Sequence, residues 1–249
     1  MVFKIERKKR GYTLTLILVI LNLLFFFINY VTNGNAVLSN THPPSPKQLL
    51  DVGGYSHTTS YWMIISAMFQ HANIYHLLGN MVALVSVGAS IERLFGKIPY
   101  LITYIVASFV AFIISGINDP HMVIVGASAS IMALTGMLFI GALVMKQQAL
   151  LYSLIYSILF TFGYGFYFNT INEHTQISNL SHFVGLIVGL VFGIITTIFA
   201  KMMGQFEYNQ KVKNQIKQQE KAEKEQQRRA EAQRKLQQKY QKKQNKSKK

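Results

Sequence analysis

The chain lacks cysteine altogether and has few charged residues. Of its 249 residues, half are hydrophobic and only 14% are charged. Without Cys it can form neither a disulfide nor a thiolate zinc site, and it has no cysteine nucleophile. Long stretches carry no charge that water would solvate, so we expect the lipid bilayer to be the solvent of this protein. The fold class that follows is an all-α membrane protein.

The sequence contains six apolar runs of about 20 residues, the length that crosses ~30 Å of hydrocarbon as a helix. They lie near 12–31, 73–91, 98–117, 122–145, 149–168 and 179–200. The first run is longer than the apolar core of a signal peptide and is interpreted as a retained anchor. The chain then divides into three predicted regions: a basic N-terminus over 1–11, a six-helix transmembrane domain over 12–200, and a Lys- and Gln-rich tail over 201–249.

A long loop joins the first two predicted spans, and it is too long for a simple connector. It contains three prolines and ends in an apolar stretch from Tyr61 to Gln70. This stretch is either an interfacial segment anchored by Tyr61 and Trp62 or a loop that shapes a site.

Basic residues fall almost entirely on one side of the predicted membrane. The chain has 25 Lys and Arg against ten Asp and Glu, a net charge of +15, and sixteen of the basic residues lie in the tail. Because Lys and Arg that flank spans stay cytoplasmic, we expect a multi-pass protein of the cell membrane with both termini in the cytoplasm. The tail is interpreted as a solvated helix or a disordered segment. Attraction to anionic lipids of the inner leaflet is the functional alternative, and no nucleic acid partner is expected.

A strongly polar residue inside hydrocarbon is a functional hypothesis by default. Four such residues belong to three different spans: His76, Asn80, Ser128 and His182. Counted at 1.5 Å per residue from the outer face, they lie roughly 5–12 Å deep, and so in one layer. Asn22 and Asn29, on the first span, are expected to form helix–helix hydrogen bonds.

Small residues line two of the spans and predict that these two helices pack closely. The sixth span has a GxxxGxxxG ridge formed by Gly185, Gly189 and Gly193, and the fourth span is also rich in small residues. Close packing would bring Ser128 towards His182, which lies on the glycine face. In the alternative interpretation the glycines only pack helices and His182 merely caps one.

The residue inventory narrows the chemistry to a serine with a histidine. No metal and no cofactor are expected, since the sequence has no HExxH motif and His71 and His76 would diverge on a helix. A hydroxyl is a weak nucleophile at neutral pH and needs an adjacent base, so Ser128 and His182 form a predicted dyad. His76, Asn80 and the Ser128 backbone N–H could stabilise the oxyanion. Ser130 faces about 200° away from Ser128 on a helix and is left out of the dyad.

Five separated motifs, in order along the chain, resemble those of the rhomboid family of intramembrane serine proteases. They are His71-Ala-Asn-Ile-Tyr-His76-Leu-Leu-Gly-Asn80-Met81, Gly88-Ala-Ser-Ile-Glu92, Gly126-Ala-Ser128, Ala133-Leu-Thr-Gly136 and Ser181-His182-Phe-Val-Gly185-Leu-Ile-Val-Gly189. The resemblance implies a rhomboid-type bundle of six transmembrane helices with a long first outer loop. It also implies hydrolysis of peptide bonds in transmembrane segments of substrate proteins, near the outer face of the bilayer.

The resemblance assigns roles to individual positions of this sequence. It implies that Ser128 is the nucleophile and that His182 is the general base and then the general acid. It implies further that His76 and Asn80 serve the oxyanion hole, whereas the remaining two positions lie near the site: His71 and Gly126. Two residues depart from the family pattern. Ala129 stands where the family usually has Gly, and Met63 stands where it often has Arg.

Two other functions are consistent with the same sequence. A catalytically inactive rhomboid-like protein could bind or retain membrane clients with this scaffold. A transporter or channel with a polar central layer fits less well, because the spans lack an intramembrane carboxylate or cationic relay.

Overall fold

The computed structural model of the protein describes residues 12–39, 41–145, 155, 179–202 and 212–231. Regular structure in these residues is helical, and the one β-type pairing described is an isolated bridge between Tyr55 and Ile124. The α-helices between residues 12 and 202 are α1 Thr13–Asn33, α2 Pro46–Asp51, α3 Met63–Ala67, α4 Ile74–Phe95, α5 Lys97–Asn118, α6 Ser128–Met145 and α7 Asn179–Met202. A 3-10 helix, Gly34–Leu38, follows α1, and residues 212–231 form a separate helix in the tail.

Four of the described helices are long and apolar enough to cross a membrane, namely α1 with its 3-10 extension, α4, α5 and α7. They confirm that the first, second, third and sixth predicted spans are apolar helices. Apart from Ile155, the fifth predicted span, 149–168, lies outside the described residues, so the count of six helices stays a prediction.

The fourth predicted span, 122–145, is wrong at its start, because α6 begins at Ser128. The residues just before it are extended and paired with the loop that joins α1 to α4, called the first loop below. Tyr55 N–H donates to the Ile124 carbonyl at 3.1 Å, and Ile124 N–H donates back at 2.7 Å. Ser128 is therefore the first residue of its helix and not its second turn. The depth counted for it along a helix from residue 122 does not apply.

The helix α6 is the most enclosed of the described helices. Four consecutive residues, Ile131 to Leu134, have no exposed surface, and because each is turned by 100° from the one before, they point to all sides of the helix. Such burial on all sides explains why an apolar sequence without a polar face forms a stable helix here.

Glycines of α7 make the contact with α6. A Cβ added to Gly185 would overlap the carbonyl oxygen of Ala129, and one added to Gly189 would overlap that of Ala133. Backbones can approach this closely only where the side chain is a hydrogen atom. The close contact between the two helices therefore begins at Ala129, the residue that follows Ser128.

The C-terminal end of α4 is joined to the start of α1 by one buried carboxylate. Glu92 accepts hydrogen bonds from Leu14 N–H at 3.0 Å and from Thr15 N–H at 2.9 Å. The Thr15 hydroxyl donates to the same carboxylate at 3.0 Å. A helix leaves its first N–H groups without partners inside the helix, and its N-terminus favours negative charge. Glu92 thus caps α1 from another helix.

Candidate active site

Ser128 is positioned by a short extended segment that the first loop holds in place. Gly126, two residues before the serine, has φ +117°, a conformation that favours glycine. Its N–H donates to the Ala67 carbonyl of α3 at 2.9 Å. Together with the Tyr55–Ile124 bridge, this bond fixes the backbone that leads into the serine.

The first loop is itself anchored by polar side chains. Ser66 Oγ donates to the Gly53 carbonyl at 2.8 Å, and the Gln70 amide donates to the Val52 carbonyl. Met63, where the family often has a charged residue, is half-buried against the apolar core. Hydrogen bonds therefore hold the first loop at Ser66 and Gln70, and apolar packing holds it at Met63.

Both interpretations of the apolar stretch from Tyr61 to Gln70 find support. Tyr61 is 53% and Trp62 67% exposed, as expected for an interfacial anchor. Ala67 in the same stretch binds the backbone of Gly126, so the loop also shapes the surroundings of Ser128.

His76 and Asn80 lie against the turn that leads into the serine. Asn73 caps α4 by accepting from His76 N–H at 2.8 Å, and Asn80 Nδ2 donates to the His76 carbonyl at 3.0 Å. A Cβ added to Gly126 would be 2.9 Å from His76 Nε2 and 3.8 Å from Asn80 Nδ2. The Nε2 edge of the imidazole and the amide nitrogen therefore both face this turn.

His71 and His76 do not diverge as their spacing on a helix predicts. Their ring centroids are 4.9 Å apart at an interplanar angle of 67°. The expectation fails because His71 precedes α4 and the helical spacing rule does not reach it. Burial and the neighbouring His76 hold the pKa of His71 well below its ordinary value, although Nδ1 lies 3.2 Å from the Phe69 carbonyl. Within the described ranges, no group of three or more His, Cys, Asp or Glu could hold a metal ion.

His182 lies in the first turn of α7, and it is close enough to His76 for the two imidazoles to interact electrostatically. Gly185, one turn further on, packs against Ala129 next to the serine. Ser128 and His182 are both partly exposed. Their side chains share no hydrogen bond in the described part of the chain, and such bonds often tighten only when substrate binds.

Several buried polar groups near the site bond to other elements. Ser130 Oγ lies 2.6 Å from Ser108 Oγ of α5, so its hydroxyl points away from the serine–histidine pair, as predicted. Ser181 Oγ, next to His182, lies 2.8 Å from Ser115 Oγ of the same helix α5. These hydroxyl pairs join α5 to the two helices that carry Ser128 and His182.

Of the helix–helix hydrogen bonds expected of the two asparagines of α1, that of Asn29 is wrong. Asn22 donates to the Leu18 carbonyl of its own helix at 2.7 Å, and its amide also interacts with Tyr104 of α5. Asn29 donates to the His71 carbonyl of the first loop at 2.8 Å. Two asparagines inside an apolar run predict that each amide has a hydrogen-bond partner. The sequence does not indicate which residue that partner is.

The fold and the site together define a polytopic helical membrane protein in which a serine and three histidines gather at neighbouring helix ends. A model of the Rhomboid domain family matches residues 58–199, which is more than half of the chain. The chain belongs to the rhomboid family, and with its apolar helices it is a multi-pass membrane protein.

Curated relatives include proteins from bacteria, protists and plants. Rhomboid protease GluP of Bacillus subtilis is 28% identical over 175 residues, which cover 68% of this chain and 33% of that protein. Rhomboid-like protease 3 of Toxoplasma gondii is 29% identical over 100 residues, 39% of this chain and 38% of that protein. RHOMBOID-like protein 1 of Arabidopsis thaliana is 29% identical over 87 residues, 35% of this chain and 22% of that protein. The chain thus spans well under half the length of these relatives.

Proposed function

We propose that the protein is an intramembrane serine endopeptidase that cleaves transmembrane segments of membrane proteins near the outer face of the bilayer. The observation that carries this proposal is the convergence of three helices on Ser128. Gly126 before the serine touches His76 and faces Asn80, and Ala129 after it touches Gly185, one turn from His182.

In the proposed reaction, His182 takes the proton from Ser128 Oγ as the oxygen attacks the carbonyl carbon of the substrate peptide. An imidazole with an ordinary pKa near 6.5 is mostly neutral at pH 7, which is the form that a base needs. The protonated His182 then gives its proton to the leaving amide nitrogen, and water hydrolyses the acyl-enzyme by the same steps.

The negative charge on the carbonyl oxygen needs donors that are already oriented. One N–H of the Asn80 amide is used by the His76 carbonyl, and the second remains for the oxyanion. His76 would donate from Nε2, the edge that faces Gly126. Each such donor is worth ~3–4 kcal/mol in the transition state.

Two of the relatives carry the word protease in their names, and this supports peptide hydrolysis over a purely structural role. Membrane proteins with transmembrane segments are the proposed substrates, and no cofactor takes part. Both termini are proposed to be cytoplasmic. The side chains of the helix over 212–231 are mostly exposed, which suits the proposed attraction of the tail to anionic lipids.

The first test is covalent labelling of the purified protein by a fluorophosphonate serine probe. Wild type should be labelled, whereas Ser128→Ala should lose labelling entirely and His182→Ala should be labelled roughly 10³-fold more slowly. Ser130→Ala is the matched control, because its buried hydroxyl faces α5 and its loss should leave labelling intact.

Labelling that persists in Ser128→Ala would refute the proposal. Folded wild type that is never labelled would favour the inactive client-binding protein instead. Ala129 would then be the first residue to change to Gly, because its backbone contacts Gly185 directly behind the serine.

A further inference from the structure

Asn29 is a fully buried amide in the apolar helix α1, and both of its polar atoms are bonded. Its Nδ2 donates to the His71 carbonyl at 2.8 Å, and its Oδ1 accepts from Asn33 Nδ2 at 2.7 Å. A carbonyl can only accept, so the amide nitrogen of Asn29 must face His71. The two bonds therefore fix the orientation of the amide from both ends.

The residue held by Asn29 is in contact with the proposed oxyanion site. The ring of His71 packs edge-on against that of His76, with centroids 4.9 Å apart. Phe69, two residues earlier, lies 5.6 Å from Phe25 and 6.1 Å from Tyr104, ring centre to ring centre. Aromatic packing holds one side of this short segment, and the Asn29 amide holds its backbone.

We propose that Asn29 is a positioning residue for the oxyanion site. It fixes the backbone of His71, so that the ring of His71 keeps the imidazole of His76 turned with Nε2 towards Gly126. The inference rests on the proposed function, and it gives the first helix a part in a site whose substrate-contacting groups all lie on other helices.

Asn22 offers a matched control for this inference. It is an asparagine of the same helix and is equally buried, but its amide donates to Leu18 within α1 and interacts with Tyr104 of α5, and it makes no bond to the His71 backbone. Asn29→Leu and Asn22→Leu thus remove the same group at the same depth of packing, and only the first removes a bond to the His71 backbone. Asn29→Ala and Asn22→Ala form a second pair if either leucine variant fails to fold.

The first measurement is the rate of Ser128 labelling by the fluorophosphonate probe, per folded protein. We expect Asn29→Leu to be slower than Asn22→Leu by roughly 3- to 10-fold, the range that one ordinary hydrogen bond controls. Equal rates in the two variants would mean that Asn29 has a structural role alone and would overturn the inference.

The second measurement does not require activity. Exchange of the imidazole C2 proton for deuterium, read by mass spectrometry, reports how freely each histidine is exposed and titrates. In a Ser128→Ala background, exchange at His76 should be faster in Asn29→Leu than in Asn22→Leu by a similar factor. If wild type is never labelled, the proposed function fails while this exchange still tests the positioning role. Identical exchange at His76 in both variants would refute that role.

Discussion

The two ends of α4 hold their polar side chains in opposite ways. At the C-terminal end, Glu92 is 2% exposed and accepts three hydrogen bonds from Leu14 and Thr15 of α1. At the N-terminal end, Asn80 bonds back to the helix, and the Nε2 edge of His76 faces Gly126. A fully paired carboxylate stabilises the packing of two helices, whereas under the proposed function the donors that face the turn before Ser128 serve the reacting group.

The largest effect should come from the N-terminal end of α4. His76→Ala and Asn80→Ala should each lower kcat by roughly 10²- to 10³-fold with little change in thermal stability, because each removes one donor to the oxyanion. The measurement is cleavage of a transmembrane substrate in proteoliposomes, with stability followed by thermal denaturation. Ser90→Ala is the control on the same helix, and its hydroxyl donates to the Ser86 carbonyl beyond Asn80. If either variant lost thermal stability and kept its kcat, His76 or Asn80 would have a structural role, and the contrast with Glu92 would be wrong.

The opposite pattern is expected at Glu92. Glu92→Ala leaves buried N–H groups of Leu14 and Thr15 without an acceptor, which should lower the free energy of unfolding by about 2–4 kcal/mol. Glu92→Gln keeps one acceptor oxygen and should lose about half as much. Both variants should retain the wild-type cleavage rate per folded molecule, measured beside the exposed neighbour variant Arg93→Ala. Full stability in Glu92→Ala would remove the proposed role of this carboxylate as a cap.

The smallest effect concerns pH and lies in the segment before α4. Burial lowers the pKa of His71, so below about pH 6.5 the unfolded chain binds a proton that the folded chain excludes. Stability should therefore fall as the pH drops below that value, by up to ~1.4 kcal/mol per pH unit. Equilibrium unfolding of wild type and His71→Gln between pH 5 and 8 measures the slope. Equal slopes in the two proteins would show that His71 does not titrate on unfolding.

Apolar length predicted the described spans well, because burial in hydrocarbon is a property of each segment taken alone. The start of α6 could not be predicted in this way. Residues 122–127 are as apolar as a helix requires, but Ile124 pairs with Tyr55 and Gly126 binds Ala67. Those partners come from a loop about sixty to seventy residues earlier, and hydropathy contains no information about them.

The candidate site was predictable in its members and less so in its geometry. Motif order brought Ser128, His182, His76 and Asn80 together as a set, and spacing on α4 placed the last two on one face. Helical spacing gave a wrong expectation for His71, because this residue lies in the loop before the helix. A turn of the backbone there places its ring next to that of His76. The partners of Asn22 and Asn29 were also beyond reach, since one amide serves its own helix and the other serves a loop.

By itself, the sequence determined that this is an apolar helical protein, and it predicts that the basic residues lie on one side of the spans. Local composition and one-dimensional charge patterning are enough for that, because the bilayer acts on each segment separately. The tertiary structure alone decided which buried polar group meets which partner. Glu92 reaches the start of α1, and Asn29 reaches the carbonyl of His71, because the packing of α1 against α4 brings together atoms that lie far apart along the chain.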